Sequence, residues 1–285
     1  MSCVLMDGKE VSKKIRAEIR AEVDAFKAET GVTPGLAVVI IGDDPASRVY
    51  VNNKKKRAGH CHMYSREYAL PEETTQEDLL KLIDELNNDP DIHGILVQHP
   101  MPKHIDENVI FRSISPAKDV DAFHPENVGR IMLGDFDFLP CTPAGVMAML
   151  DEYGIDPKGK ECVIVGRSNI VGKPQSMLLL HRHGTVTVCH SRTADLAEVT
   201  RRADILVVAI GKPKFVTADM VKDGAVVIDV GVNPDGNGGL CGDVDFDEIV
   251  KKASYITPVP GGVGPMTITM LMKNTLTAAK RSVGK

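Results

Sequence analysis

From Pro140 onward, short apolar runs alternate with stretches of helical length, and no other feature constrains the fold of this chain as much. A helix at Ala144–Tyr153 leads to the strand Cys162–Val165, a helix from about Lys173 to His183, and the strand Thr185–Cys189. Further strands are expected at Ile205–Ile210, Ala225–Val230 and Tyr255-Ile256. Strands that alternate with helices in this way build a doubly wound, mostly parallel sheet.

The first half carries the same grammar less densely. Val11, Ile15, Ile19, Val23 and Phe26 recur at helical spacing, so residues 8–30 read as an amphipathic helix. Leu36–Ile41 is a strand of the buried type, closed by the turn Gly42-Asp43-Asp44-Pro45, and a helix follows to about Arg57. Residues Thr75–Asn88 form a helix with Leu79, Leu82, Ile83 and Leu86 on one face and Pro90 as its stop. Ile95-Leu96-Val97 is a short strand that ends in Gln98-His99-Pro100. This half is βαβ-like, with parallel strands. Residues 112–140 show little periodicity and read as an inter-domain region.

Composition excludes several classes of function. The 285 residues suffice for one large or two small α/β domains. A formal net charge of -5 weighs against nucleic acid as a partner, and 4% aromatics without Trp weigh against a base-stacking platform. No apolar run approaches the roughly 18 residues of a membrane span, so no membrane partner is expected. The N-terminus lacks a basic region and a signal-length apolar segment, which with the cysteine usage suggests a cytoplasmic protein. The six cysteines are scattered with no Cys-x-x-Cys, as free thiols in a reducing compartment would be. His60-Cys61-His62 and His181-x-His183 lack a second ligand pair, so they read as surface histidines and no metal is expected.

Two loops point to a ligand. Glu161–Val165 runs into Gly166-Arg167-Ser168-Asn169-Ile170-Val171-Gly172, a glycine turn between strand and helix where a pyrophosphate can sit on the helix N-terminus. It departs from G-x-G-x-x-G, because Ser168 takes the second glycine's place and the last glycine comes one residue late. The next strand ends in Cys189-His190-Ser191-Arg192-Thr193, without the acid that accepts from the ribose 2′-OH of NAD. Ser191 and Arg192 can instead donate to a 2′-phosphate, which favours NADP as cofactor. The second loop is Pro258-Val259-Pro260-Gly261-Gly262-Val263-Gly264-Pro265, again between a strand and a helix. Its glycines let a flat ligand approach the main chain.

In the first half, Ser47, Tyr50 and Lys54 share one helix face, so a Tyr ring can stack on a flat ligand while the Lys reaches the reacting atom. Lys54 also heads the run Lys54-Lys55-Lys56-Arg57, which spacing alone reads equally well as a solvated face. Gln98 ends a buried strand, where open sheets place ligand groups, and Asp121 lies in Lys118-Asp119-Val120-Asp121. An amide beside a Lys can steer its proton affinity, and a carboxylate can bind a ring with adjacent N–H donors.

Taken in order, these stretches resemble the bifunctional methylenetetrahydrofolate dehydrogenase/methenyltetrahydrofolate cyclohydrolase family. The likeness rests on Asp44-Pro45-Ala46-Ser47 with Tyr50-Val51 and Lys54, on Gly94–Gln98 with Pro100-Met101-Pro102, and on Lys118–Asp121. It continues in Cys141-Thr142-Pro143, Gly166–Gly172 and the loop at 258–267, and so covers nearly the whole chain. The chain departs from the family in three places: at His99, usually apolar, at Ala122, usually Gly, and at Gly59–Met63.

The resemblance implies an N-terminal folate-binding domain over 1–139, a Rossmann-like NADP-binding domain over 140–270, and a C-terminal helix over 271–285 that returns to the first domain. It further implies an active-site cleft between the domains and a homodimer. The folate substrate would meet Ser47, Tyr50, Lys54, Val97, Gln98, Asp121 and the loop Pro260, Gly261, Gly262, Val263 and Gly264. Tyr50 would stack along it and Asp121 would hold the pterin. Lys54 would be the general acid/base of the hydrolytic step, tuned by Gln98. Gly166, Arg167, Ser168, Ser191, Arg192 and Val232 would contact NADP. The implied activity is oxidation of 5,10-methylenetetrahydrofolate, followed by hydrolysis to 10-formyltetrahydrofolate. A dehydrogenase without the hydrolytic step, a silent NADP-binding regulator and a dehydrogenase of an unrelated small substrate are the rival readings.

Overall fold

A computed structural model describes residues 3–285, apart from the side chains of Pro45, Ala46, Ser47 and Val49. β1 (Val4–Leu5) is followed by α1 (Gly8–Thr30), whose stripe of Val11, Ile19, Val23 and Phe26 is buried. β2 (Gly35–Ile41) is buried at every residue, as a strand with both faces covered must be. After α2 (Pro45–His60) come β3 (Tyr64–Leu70), α3 (Gln76–Asn88) and β4 (Gly94–Val97). β2 lies between β3 and β4 in a three-stranded parallel sheet. Thr75 starts α3 by accepting from the Asp78 N–H at 3.1 Å. Leu79, Ile83 and Leu86 of α3 then pack into one cluster with Ala37, Val39, Ile95 and Val97.

The stretch 112–140, expected to show little regular structure, contains a helix, and a second one leads into it. α4 (Glu107–Ser113) buries Ile110, and α5 (Pro125–Leu133) begins with Pro at its first turn. The His124 ring caps α5 by accepting from the Glu126 N–H at 3.1 Å, and Gly134 ends it in the left-handed conformation. Its periodicity is hidden because Val128, Met132 and Leu133 are apolar yet exposed.

The second half comprises α6 (Cys141–Glu152), β5 (Glu161–Val165), α7 (Gly172–His181), β6 (Thr185–Cys189), α8 (Leu196–Thr200), β7 (Ile205–Val208) and β8 (Val226–Asp229). The small antiparallel pair β9 (Asn233–Pro234) and β10 (Leu240–Cys241) follows, then α9 (Phe246–Ile249), β11 (Tyr255–Ile256) and α10 (Val263–Ser282). Six strands form a parallel sheet in the order β1-β11-β8-β7-β5-β6. From β5 the chain passes first to β6 on one side and then to β7 on the other. The strand order therefore reverses at β5, and the crevice beyond the carboxyl ends of β5 and β7 is the topological switch point.

Contacts divide the chain into two compact units. One takes in the chain up to Ser12 with Thr142–Thr267, and the other Lys13–Cys141 with Ile268–Lys285. The N-terminal segment thus groups with the second half, not with the domain expected over 1–139. The cause is β1, which pairs in parallel with β11, while the Met6 N–H donates to the Ile256 carbonyl at 2.8 Å. Among the described residues no group of His, Cys, Asp and Glu has the arrangement of a metal site, and no helix is long and apolar enough to cross a membrane.

Candidate active site

Lys54 settles what its basic run left open. Lys55 and Lys56 are exposed, but Lys54 is half-buried and its Nζ donates to Gln98 Oε1 at 2.7 Å. Gln98 is fixed at the carboxyl end of β4, where its N–H donates to the Val39 carbonyl at 2.8 Å. Its side-chain Nε2 donates to the His99 carbonyl at 2.5 Å, so the amide oxygen is the atom left for the lysine. Tyr50, one turn before Lys54 on α2, is 45% exposed. The Ser47 side chain lies outside the described residues. Val97 packs into the core, so its side chain supports the end of β4 and offers no surface.

Asp121 is held in the same unit by groups that sequence reasoning gave no role. The Cys141 thiol donates to Asp121 Oδ1 and to the Val120 carbonyl, each at 3.5 Å. Asn274 Nδ2 donates to the Val120 and Leu139 carbonyls at 2.7 and 2.8 Å. Buried Asp119 accepts from the His124 N–H and from Asn127 Nδ2, both at 2.8 Å. Ala122 is buried at φ 58, a left-handed conformation that Gly adopts at less cost. His99 leans on the Phe111 ring at 5.1 Å, with Nδ1 at 3.1 Å from Glu107 Oε1.

Burial sets the electrostatics of the cluster. It lowers the Lys54 pKa against the opposing charge of Asp121. It raises that of Asp121, against the Lys54 charge and the Cys141 hydrogen bond. The Cys141 thiol is pushed well above its ordinary range by burial and then by Asp121, so it acts as a neutral donor. A lysine whose proton is loosened, beside an oriented amide and a carboxylate, has the composition of a proton-transfer site.

The other candidate residues line the carboxyl edge of the six-stranded sheet. Gly166 follows β5 at φ 129, where a Cβ would run into the Ala209 carbonyl oxygen, and a Cβ on Gly172 would meet the Gly166 carbonyl. Ser168 ties the turn together: its Oγ accepts from the Val171 and Gly172 N–H groups at 3.1 and 3.3 Å, just before α7. Arg167, Ser191, Arg192 and Val232 are exposed at the ends of β5, β6 and β8. After β11, the loop 258–264 turns through Gly261 at φ 113, and the Gly262 N–H donates to the Pro258 carbonyl at 2.8 Å. A Cβ on Gly8 would collide with the Gly262 carbonyl, so the start of α1 is pressed against this loop. Pro260 and Gly264 are exposed, while Gly262 and Val263 are buried.

Known proteins share this arrangement over the whole chain. The pattern of the tetrahydrofolate dehydrogenase/cyclohydrolase catalytic domain matches residues 6–121, and that of its NAD(P)-binding domain matches residues 140–283. The chain belongs to the tetrahydrofolate dehydrogenase/cyclohydrolase family. It is 61% identical over 280 residues to the bifunctional protein FolD of Acetivibrio thermocellus, covering 98% of each chain. The crystal structure of the bifunctional enzyme FolD from Campylobacter jejuni superposes with a TM-score of 0.96 at 50% identity, over 98% of this chain and 99% of that one. The Trypanosoma brucei methylenetetrahydrofolate dehydrogenase-cyclohydrolase, complexed with NADP cofactor and inhibitor, also gives 0.96, at 42% identity over 100% of both chains. Within the family frame, Tyr50, Lys54, Gln98 and Asp121 fall in the catalytic-domain match, and Gly166–Ser168, Arg192 and Val232 in the NAD(P)-binding match.

Proposed function

We infer that this chain oxidises 5,10-methylenetetrahydrofolate with NADP and hydrolyses the 5,10-methenyl product to 10-formyltetrahydrofolate, a step of one-carbon metabolism. The methylene bridge gives a hydride to the nicotinamide and leaves a methenyl cation. Water adds to that cation, and proton transfers open the ring. The cofactor supplies the hydride acceptor, and the protein supplies position and proton handling. Tyr50 stacks along the folate and Asp121 binds the pterin. Gly166–Ser168, Ser191, Arg192 and Val232 hold NADP, and the loop Pro260–Gly264 meets the folate.

The observation that carries the hydrolytic half is the 2.7 Å contact between Lys54 and Gln98. A lysine with a lowered pKa returns its proton more readily, and Gln98 orients the amine that exchanges it. A dehydrogenase without hydrolysis would have no use for this pair. Lys54→Met keeps the stem and removes the titratable amine. Methenyl hydrolysis should fall about 10²–10⁴-fold, as for other lost general acid/bases, and oxidation much less, so that methenyltetrahydrofolate accumulates. Hydrolysis at the wild-type rate would remove Lys54 from the mechanism. The family likeness also supports a cytoplasmic homodimer. A sedimentation mass of a single chain across micromolar concentrations would overturn the dimer.

A further inference from the structure

Asp243 is a fully buried carboxylate that no pattern in the sequence singled out. Its Oδ2 accepts from the N–H groups of Ile210 and Gly211 at 2.7 and 3.0 Å. Its Oδ1 accepts from the Lys212 N–H at 2.8 Å and from Asn233 Nδ2 at 2.9 Å. Three consecutive amides of the loop after β7 therefore close round one carboxylate, and its fourth bond reaches the residue next to Val232. Asp229, buried at the end of β8, forms a second tier. It accepts from the N–H groups of Asp243, Val244 and Gly231 at 2.9, 3.0 and 3.0 Å. Its own N–H donates to Thr257 Oγ1 at 2.7 Å, at the root of the loop 258–264.

The two carboxylates leave no slack. A Cβ on Gly231 would strike the Asp243 carboxylate, and one on Gly242 the Asp229 carboxylate. Burying a charge is costly unless donors saturate it, and the core strands do not need one to pack. What the pair does fix is the shape of the segments after β7, β8 and β11, along the edge that contains the switch point.

We propose that Asp243 is a positioning residue for the dinucleotide, setting the loop Ile210–Lys212 and, through Asn233, the segment that carries Val232. The inference rests on the reading that Val232 meets NADP. It is tested on the full chain with Asp243→Asn, Asn233→Ala and Val232→Asp. NADP affinity, KM for NADP and methenyl hydrolysis, which needs no NADP, are measured for each. Asp243→Asn should raise the Kd and KM for NADP about tenfold or more, the scale of one lost charge-assisted bond, and leave hydrolysis within about twofold. Asn233→Ala should move the same two constants in the same direction by less.

A fall in both activities together, with KM for NADP unchanged, would make Asp243 structural only and overturn the proposal. If Asp243→Asn does not fold, Asn233→Ala decides alone, and an NADP Kd within about twofold of wild type sinks it. Weakened NADP binding in Val232→Asp but in neither of the other variants rejects the positioning role and keeps the cofactor reading. Unchanged binding in Val232→Asp rejects the cofactor reading itself, and the positioning proposal with it.

Discussion

Lys54, Lys55 and Lys56 are chemically identical and differ only in where α2 turns them, yet one of them meets Gln98 and two meet water. The sequence pointed to Lys54 only through its companions at Tyr50, Gln98 and Asp121, because spacing cannot tell a sunken lysine from a solvated one. The partners of Asp121 were harder to see. Cys141 reads as a small hydrophobe, and Asn274 is 154 residues from the carbonyl of Val120 it supports. The Asp121 charge raises the Lys54 pKa while burial lowers it, so the two effects can be separated. Asp121→Asn removes the first and leaves burial unopposed. The Lys54 pKa should drop further, and the limb of the kcat profile for methenyl hydrolysis that reports it should move to lower pH. A pH profile at saturating substrate checks the sign. A limb that stays in place, or moves up, would show that Asp121 does not act on Lys54.

At the scale of elements, strands with an apolar or alternating run were legible, β4 and β6 at the sheet edges included, and strands without one were not. β2, β5 and β7 announce themselves as apolar runs between turns. β3 does not, because an edge strand with Arg66 and Glu67 at its middle carries no apolar run. β1 is two residues long and exists through its pairing with β11, information that no local window contains. The Asp229–Asp243 tiers were hidden for the same reason, since their donors come from separate loops. Asp229 nevertheless has a measurable signature. Burial raises its pKa from 3.8 to about 6, against hydrogen bonds that lower it. Below about pH 6 the folded state holds this proton more tightly than the unfolded chain, so this group's contribution to stability declines as pH rises through the folded pKa. Between about pH 5 and 7 the wild type should lose about 1 kcal/mol relative to Asp229→Asn, which has no proton to bind. Urea unfolding of both proteins at the two pH values measures it. Parallel slopes would mean that Asp229 titrates alike in folded and unfolded chains.

For the molecule as a whole, a formal net charge of -5 means that an anionic dinucleotide has to be drawn in by local groups and not by a general positive field. On the proposed reading those groups are Arg167 after β5 and Ser191 and Arg192 at the end of β6, all exposed. The Arg192 N–H is tied to His190 Nδ1 at 3.1 Å, which fixes the backbone from which its side chain departs. A ligand that binds only the folded chain stabilises it by RT ln(1 + [L]/Kd), about 2.7 kcal/mol at a hundred times Kd. If Arg192 reads the 2′-phosphate, Arg192→Ala should weaken NADP binding by roughly ten- to a hundredfold, one charge-assisted contact. At an NADP concentration a hundred times the wild-type Kd the stabilisation should then shrink by about 1.3–2.3 kcal/mol, while the smaller stabilisation by NAD, which has no 2′-phosphate, stays the same. Melting curves with each cofactor at the same concentration separate the two cases. Equal losses for NADP and NAD would show that Arg192 serves the dinucleotide in general, and that discrimination lies elsewhere along the sheet edge.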